Sequence, residues 1–453
     1  MLIIIPPIID SIISTLYFDG IHFKSYYLFD SIQGLSQSFI TFFGDKPRDG
    51  ITYGTRVMIF LSLLLLTFIT YVNTKKIYLS ILMLIIAYTL FFLLSSMPSL
   101  ITFMTVPEHL TATRADVAGL IASPTTIFGN QITNLLSAIN IKMSLVYLLL
   151  SILITITILF FTYKKTTISL VKNIRPIQTL YHLGLLLIGI GLAIIFADSV
   201  LYYSFFNLLA FVLLCIAIIF AWYSTVIFND CVDQKIDAIS NQNRPLIQKT
   251  IALSDYKKIG LILMFLSIIM IAAINPYASL LIIAYHALSY LYNMPPLRLK
   301  RFPIIATLLA AIASFFIVAV GFVTVSPEHS LTGFPPYIAI LLIISYTISL
   351  PIKDLKDIAG DKANNVYTLP VLFGEKTGRT IIGMSIFFSF MLSIFTLGTK
   401  SILLPAILSG ALCFWTLVGQ KNNKFIFTPK QTLSLVFVIV SIYGMILVFT
   451  LFG

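Results

Sequence analysis

The chain has 453 residues, 58% of them hydrophobic and only 10% charged, with 29 Lys and Arg against 17 Asp and Glu for a net charge of +12. Mean hydropathy is +1.00, which excludes an ordinary soluble globular protein. Three cysteines, Cys215, Cys231 and Cys413, show no CxxC spacing, so neither a disulfide framework nor a zinc site is expected.

The opening stretch, residues 1–18, has no basic n-region and is interrupted by Pro6 and Pro7. It reads as a re-entrant or interfacial anchor rather than a signal peptide. Beyond it, apolar runs long enough to cross a bilayer as helices recur. They place spans near 55–73, 78–96, 143–163, 179–198, 201–228, 257–274, 277–292, 303–324, 336–352, 379–398, 401–419 and 433–452. The expected fold is therefore an all-α, polytopic membrane protein. It divides near residue 170. Residues 1–170 form an N-terminal membrane region with about three spans and two longer non-cytoplasmic stretches, 1–54 and 97–142. The second holds Pro107, Glu108, His109, Arg114, Asp116 and Pro124, a mixture typical of a surface loop or small cap. Residues 171–453 hold nine spans, tight loops and all the concentrated chemistry. Within them, Pro295–Pro296 and Asn275–Pro276 interrupt helical pattern and mark turns.

Alternate loops divide the 29 basic residues 22 to 7, as the positive-inside rule requires with the richer side cytoplasmic. The positive charge thus reflects topology and attraction to anionic lipid, and nucleic acid is not an expected partner. Three loops on the basic side, 229–256, 293–302 and 353–378, contain the unusual residues. The loops opposite are nearly neutral.

Asp230, Asp233 and Asp237 stand at i, i+3, i+7, and Asp354, Asp357 and Asp361 repeat the pattern. On a helix this spacing puts three carboxylates on one face. Six such acids repel unless a cation lies between them, and magnesium ions carrying a diphosphate fit that need. The structural alternative is that these Asp residues cap helix N-termini. A functional alternative of another class is a membrane cation transporter using clustered carboxylates. His182 and His286 form no ligand pair and read as packing or hydrogen-bonding residues, and no Gly-rich nucleotide loop, GxSxG or HExxH is present.

The segment Asn229-Asp230-Cys-Val-Asp233-Gln-Lys-Ile-Asp237, followed by Asn243-Arg244-Pro245-Leu246, resembles the first aspartate-rich motif of the UbiA family of intramembrane prenyltransferases. Asp354-Leu-Lys-Asp357-Ile-Ala-Gly360-Asp361-Lys362, continued by Thr368-Leu369-Pro370 and Phe373-Gly374-Glu375-Lys376, resembles the second. Tyr292-Asn-Met-Pro295-Pro296-Leu-Arg298-Leu-Lys300-Arg301 is similar to the segment between them. The resemblance covers roughly residues 172–453 and leaves the N-terminal region unassigned. It implies a nine-helix bundle with a central cavity, preceded here by about three extra transmembrane helices. It further implies transfer of a prenyl group from a polyprenyl diphosphate to a hydrophobic lipid or aromatic acceptor, with Mg²⁺ as cofactor and release of diphosphate. Metal would be held among Asn229, Asp230, Asp233, Asp237, Asp354, Asp357 and Asp361, with Asp230, Asp237 and Asp354 ligating it, orienting waters or holding basic residues in place. Asn229, Asp233, Asp357 and Asp361 are the strongest metal positions, and Asp233, Asp357, Asp361 and Lys300 the catalytic ones. Arg244, Lys300, Arg298 and Tyr292 would meet the diphosphate. Acceptors in reach include a quinone precursor, a glycerol-phosphate ether lipid and a porphyrin-derived ring, and a quinone or related lipid precursor is preferred. The expected location is the cell membrane, multi-pass, with the mouth of the site facing the cytoplasm. Residues 1–170 either stabilise the enzyme or recruit an external partner. The whole reading requires the two acidic segments to face each other.

Overall fold

The computed structural model describes residues 29, 31–44, 53–105, 127–128, 135–199, 201, 204–363, 366–421 and 424–452. Residues 1–18, Lys24, Lys46, Arg48 and the stretch containing Pro107, Glu108, His109, Arg114, Asp116 and Pro124 lie outside the described residues. Those that are described form seventeen α-helices and one two-stranded ribbon, divided between two compact units. The all-α membrane architecture expected from hydropathy is what forms.

The first unit falls within Met1–Thr155 and Tyr202–Leu213. Here α1 (Ile32–Ile40), α2 (Tyr53–Thr74), α3 (Ile77–Ser95) and α4 (Met97–Thr105) are followed by α5 (Leu135–Thr162), which continues past the unit's edge. Ser31 caps α1 by accepting from the Gly34 amide. Phe29, Phe43, Ile59, Leu63 and Phe92 form its own apolar core. Tyr88 stacks on Phe39 at 5.0 Å and donates its hydroxyl to the Phe39 carbonyl at 2.6 Å. Arg56 donates to the carbonyls of Gly44 and Phe43, at 2.6 and 3.1 Å.

The second unit comprises Ile156–Leu201 and Leu214–Gly453. In chain order it contains α6 (Lys164–Lys172), α7 (Pro176–Phe196), most of α8 (Phe205–Val232), and the short α9 (Gln234–Ser240). Next come α10 (Leu253–Ile274), α11 (Pro276–Asn293), α12 (Pro303–Val325), α13 (Pro336–Ser349) and the short α14 (Ile358–Ala363). The unit closes with α15 (Leu369–Leu397), α16 (Leu403–Val418) and α17 (Pro429–Phe452). Proline at the first turn opens α7, α11, α12, α13 and α15, where its missing N–H has no intrahelical partner to lose. The nine long helices are those expected after residue 170. Helix α12 is the most enclosed, with 61% of its apolar window buried. It crosses α7 at Gly189 and Gly321, where a Cβ on Gly189 would fall 1.9 Å from the Val318 carbonyl oxygen. Only glycine permits that approach.

Two expectations need correction. Eleven described helices are long and apolar enough to span a membrane, not twelve. The exception, α11, forms as a helix, but its tyrosines, His286 and Asn293 lower its hydropathy; Tyr285, Ser289, Tyr292 and Asn293 line an internal cavity instead of meeting lipid. The second is α15, which starts ten residues before the expected 379 and is broken at Gly374, where φ is 77°. Arg379, read as a loop charge, is consequently inside this helix and only 1% exposed. It pairs with Glu375 at 3.0 Å, donates to the carbonyls of Leu417 and Phe427, and lies 4.0 Å from the Phe425 ring centroid. Those contacts fix the ribbon of β1 (Gln420–Lys421) and β2 (Lys424–Phe425) that joins α16 to α17.

Candidate active site

Each acidic triplet straddles a break between helices, so the single continuous face expected from i, i+3, i+7 spacing does not form. Asp230 ends α8, Asp233 occupies the junction, and Asp237 lies in α9. Asp354 lies in a 3₁₀ segment, Leu350–Lys356, Asp357 follows it, and Asp361 lies in α14. The breaks turn the three side chains of a triplet toward different partners. Asp233 holds the N-cap position of α9 without making a capping bond, so the capping role is not its use. Its carboxylate accepts instead from Arg298 at 2.8 Å and from Lys300.

The two short helices pack against each other. Asn241, one residue beyond α9, donates to Asp237 at 2.9 Å and to Asp357 at 3.0 Å, so one amide spans both triplets. The Gly360 amide donates to Ser240 Oγ at 3.2 Å. A Cβ at Gly360 would lie 2.4 Å from that oxygen and 3.0 Å from the Ile236 carbonyl oxygen. The absent side chain is thus what lets α14 approach α9, and the acidic segments do face each other.

They face across the mouth of a cavity of about 550 Å³. Asn229, Asp233, Tyr292, Lys300, Asp354, Asp357 and Asp361 line it, whereas Asp230, Asp237, Arg244 and Arg298 stand outside the lining. Lys300 donates to Asn229 at 3.3 Å as well as to Asp233. Arg298, whose backbone is left-handed (φ 43°), approaches Asp233 from the same basic segment. The deeper wall is aromatic. Tyr181, Trp222, Tyr285 and Tyr346 line it, with His182 stacked on Trp222 at 4.2 Å. His182 and His286 are held by the Gln178 carbonyl (2.7 Å) and the Ser267 hydroxyl (3.0 Å), which fits the packing role read from sequence.

Asp230 is 1% exposed and saturated by protein donors. Arg175 and Asn173 reach it at 2.8 and 2.9 Å, Tyr256 donates to it at 3.1 Å, and Arg244 bonds the same carboxylate. Arg244 also lies 3.9 Å from Asp237. In this arrangement Asp230 and Arg244 brace the first acidic segment. Sequence reading had no basis for Asn173, Arg175 or Tyr256, which come from distant helices. Asn241 carried a signal that was overlooked, an amide four residues after an acid on the same turn.

The acids fit a divalent cation. Among the described residues, neither Asp354 nor Asp361 has a basic side chain within ion-pair reach or a side-chain hydrogen bond. One oxygen of Asp237 is buried without any hydrogen-bond partner. Burial, followed by the charges of Asp354 and Asp357, pushes the Asp361 carboxyl up to about 7. Burial, followed by Asp230 and Asp233, does the same for Asp237, also to about 7. The described acids are not gathered into a ready-made cage of three ligands.

The profile of the UbiA prenyltransferase family matches residues 190–425, more than half of the chain. The chain belongs to the UbiA prenyltransferase family. Among curated relatives of this UbiA-family chain, the digeranylgeranylglyceryl phosphate synthase of Thermococcus sibiricus is 30% identical over 155 residues, 34% of this chain and 53% of the relative. The synthase of the same name from Methanosphaera stadtmanae is 31% identical over 148 residues, 33% of this chain and 52% of the relative. The chain thus spans about half the length of the curated relatives it matches. A solved UbiA homolog from Archaeoglobus fulgidus, bound to DMAPP and Mg²⁺, covers 61% of this chain and 96% of its own, at 18% identity and TM-score 0.48.

Proposed function

We propose that this chain transfers a prenyl group from a polyprenyl diphosphate to a lipid acceptor of the glyceryl phosphate class, releasing diphosphate at the cytoplasmic face of the cell membrane. The observation that carries this reading is the pairing of two opposed acidic segments with basic residues, Lys300 among them, in the lining of an aromatic-walled cavity. Of the quinone or related lipid precursor preferred from sequence, the lipid part is supported by the relatives' names, which give a glyceryl phosphate lipid, and the quinone part is not.

Asn229, Asp233, Asp354, Asp357 and Asp361 would hold Mg²⁺, with Asp237 behind them. When bound, the metal supplies Lewis-acid neutralisation of the leaving diphosphate, worth several kcal/mol in comparable sites. Lys300 offers a point charge to the diphosphate once Asp233 turns to its cation. Arg298 keeps Asp233 oriented, while Asp230 and Arg244 hold the end of α8. The apolar wall takes the hydrocarbon tail and excludes water from the reacting carbon. Ring faces of Tyr181, Tyr285 and Tyr346 can stabilise positive charge developing there. The allylic C–O bond breaks with its electron pair leaving on diphosphate. The acceptor hydroxyl oxygen then bonds to that carbon and gives up its proton to the released diphosphate.

The test is direct. Purified protein in lipid nanodiscs is given geranylgeranyl diphosphate, Mg²⁺ and either a prenylglyceryl phosphate or an aromatic acid acceptor. The expected result is Mg²⁺-dependent diphosphate release with an ether product from the first acceptor, abolished by EDTA and restored by Mg²⁺. Ion flux without diphosphate release would support the transporter alternative and end this reading.

A further inference from the structure

Among the described residues, four basic side chains line the cavity: Arg175, Lys300, Lys353 and Lys356. Three are committed to carboxylates, Arg175 to Asp230 at 2.8 Å, Lys300 to Asp233, and Lys356 to Asp357 at 3.8 Å. Lys353 is different. Among the described residues no carboxylate lies within ion-pair distance of it. Its Nζ donates to the Tyr292 hydroxyl at 2.8 Å and stands 4.9 Å from the centroid of that same ring.

An ammonium group has three donors and a full charge. A phenol ring steadies that charge through its face but does not neutralise it. An anion arriving at Lys300 must displace Asp233, whereas one arriving at Lys353 breaks no direct ion pair among the described residues, the charge of neighbouring Asp354 acting on that ammonium from beyond contact. The donor diphosphate is already provided for by the acids' cation and Lys300. A second anion in the same cavity would repel it unless it rested on a separate positive charge. A glyceryl phosphate acceptor brings such an anion, because its reactive hydroxyl lies only two carbons from the phosphate oxygen. That phosphate must therefore enter the mouth whenever the hydroxyl reaches the reacting carbon.

We propose that Lys353, positioned by Tyr292, is the subsite for the phosphate head of the acceptor and sets the preference for a phosphate-bearing acceptor over a neutral one. The inference rests on the transferase reading above. The experiment compares wild type with Lys353→Met in nanodiscs, using geranylgeranyl diphosphate with a prenylglyceryl phosphate or with its phosphate-free alcohol. In Lys353→Met the KM for the phosphate acceptor should rise about tenfold or more, the scale of one lost charge-assisted contact. The KM for the donor should change far less than that for the acceptor, and Lys353→Arg should restore most of the acceptor affinity. The variant should also lose the wild-type preference for the phosphate acceptor over the alcohol. If Lys353→Met is not recovered folded, Lys353→Gln carries the same comparison. An unchanged acceptor KM, or a rise confined to the donor, overturns the assignment of Lys353 alone. No product from either acceptor with the wild-type protein would overturn the transferase reading and this subsite with it.

Discussion

Asp233 and Asp230 are three residues apart and have separate surroundings, which leads to different consequences when each is removed. Asp233 and Asp361 line the cavity. Asp233→Ala or Asp361→Ala should abolish diphosphate release while the protein remains inserted and monodisperse by gel filtration; near-normal turnover would contradict the metal roles. Asp230 holds Arg175, Arg244, Asn173 and Tyr256 around one buried carboxylate. Asp230→Ala strips Arg175 of its carboxylate and leaves buried Arg244 only Asp237, at 3.9 Å, a loss of about 3–5 kcal/mol. It should therefore lower the thermal midpoint in detergent well below that of Asp361→Ala, and equal midpoints would dismiss the bracing role. The acids themselves were legible because few charges occur in so apolar a chain. Their division of labour was not, since it depends on Asn173, Arg175 and Tyr256, brought in from α7 and α10 and their approaches. Lys353 was likewise visible only as one more topology charge until Tyr292 was found beside it.

At the level of elements, hydropathy located the long helices but not the interruptions that shape the site. Spacing alone predicts a continuous helical face, whereas both triplets break at their middle aspartate and continue in helices of seven and six residues. The packing of those short helices on each other is the fragile step. Gly360→Ala would put a methyl group 2.4 Å from Ser240 Oγ and 3.0 Å from backbone at Ile236. Overpacking of this kind costs about 1–3 kcal/mol. The displacement should raise the Mg²⁺ concentration needed for half-maximal turnover, read from a Mg²⁺ titration; an unaltered titration would show that the close approach is dispensable. Gly360 was quoted as part of a motif, but its reason lies in Ser240 and Ile236, about 120 residues earlier. The start of α15 was misjudged for a related cause. Charges at Glu375, Lys376 and Arg379 mask a helix in hydropathy, and Arg379 enters the interior by pairing with Glu375 and a ring.

For the whole molecule, the distribution of basic residues predicts an orientation. Lys258, exposed beside Asp255, belongs to the basic side, and exposed Glu328 to the opposite one. An impermeant maleimide should label Glu328→Cys in intact cells and Lys258→Cys only after permeabilisation; the reverse pattern would invert the topology and the location of the mouth. The native Cys231 and Cys413 are buried and give little background. Eight helices of the second unit are long and apolar enough to span a membrane and α11 is the ninth, and the candidate site sits wholly in that unit. The N-terminal region was legible only as membrane-embedded, and its described part has a core of its own built on Phe29, Phe43 and Phe92. One consequence concerns the resting state. With Asn241 tied to both acidic segments and Lys300 and Arg298 on Asp233, the protein carries internal stand-ins for the ions and phosphates it would receive. On the proposed function, loading would be a swap of partners, so tighter stand-ins would slow the enzyme and looser ones would leave it unable to keep its shape between turnovers.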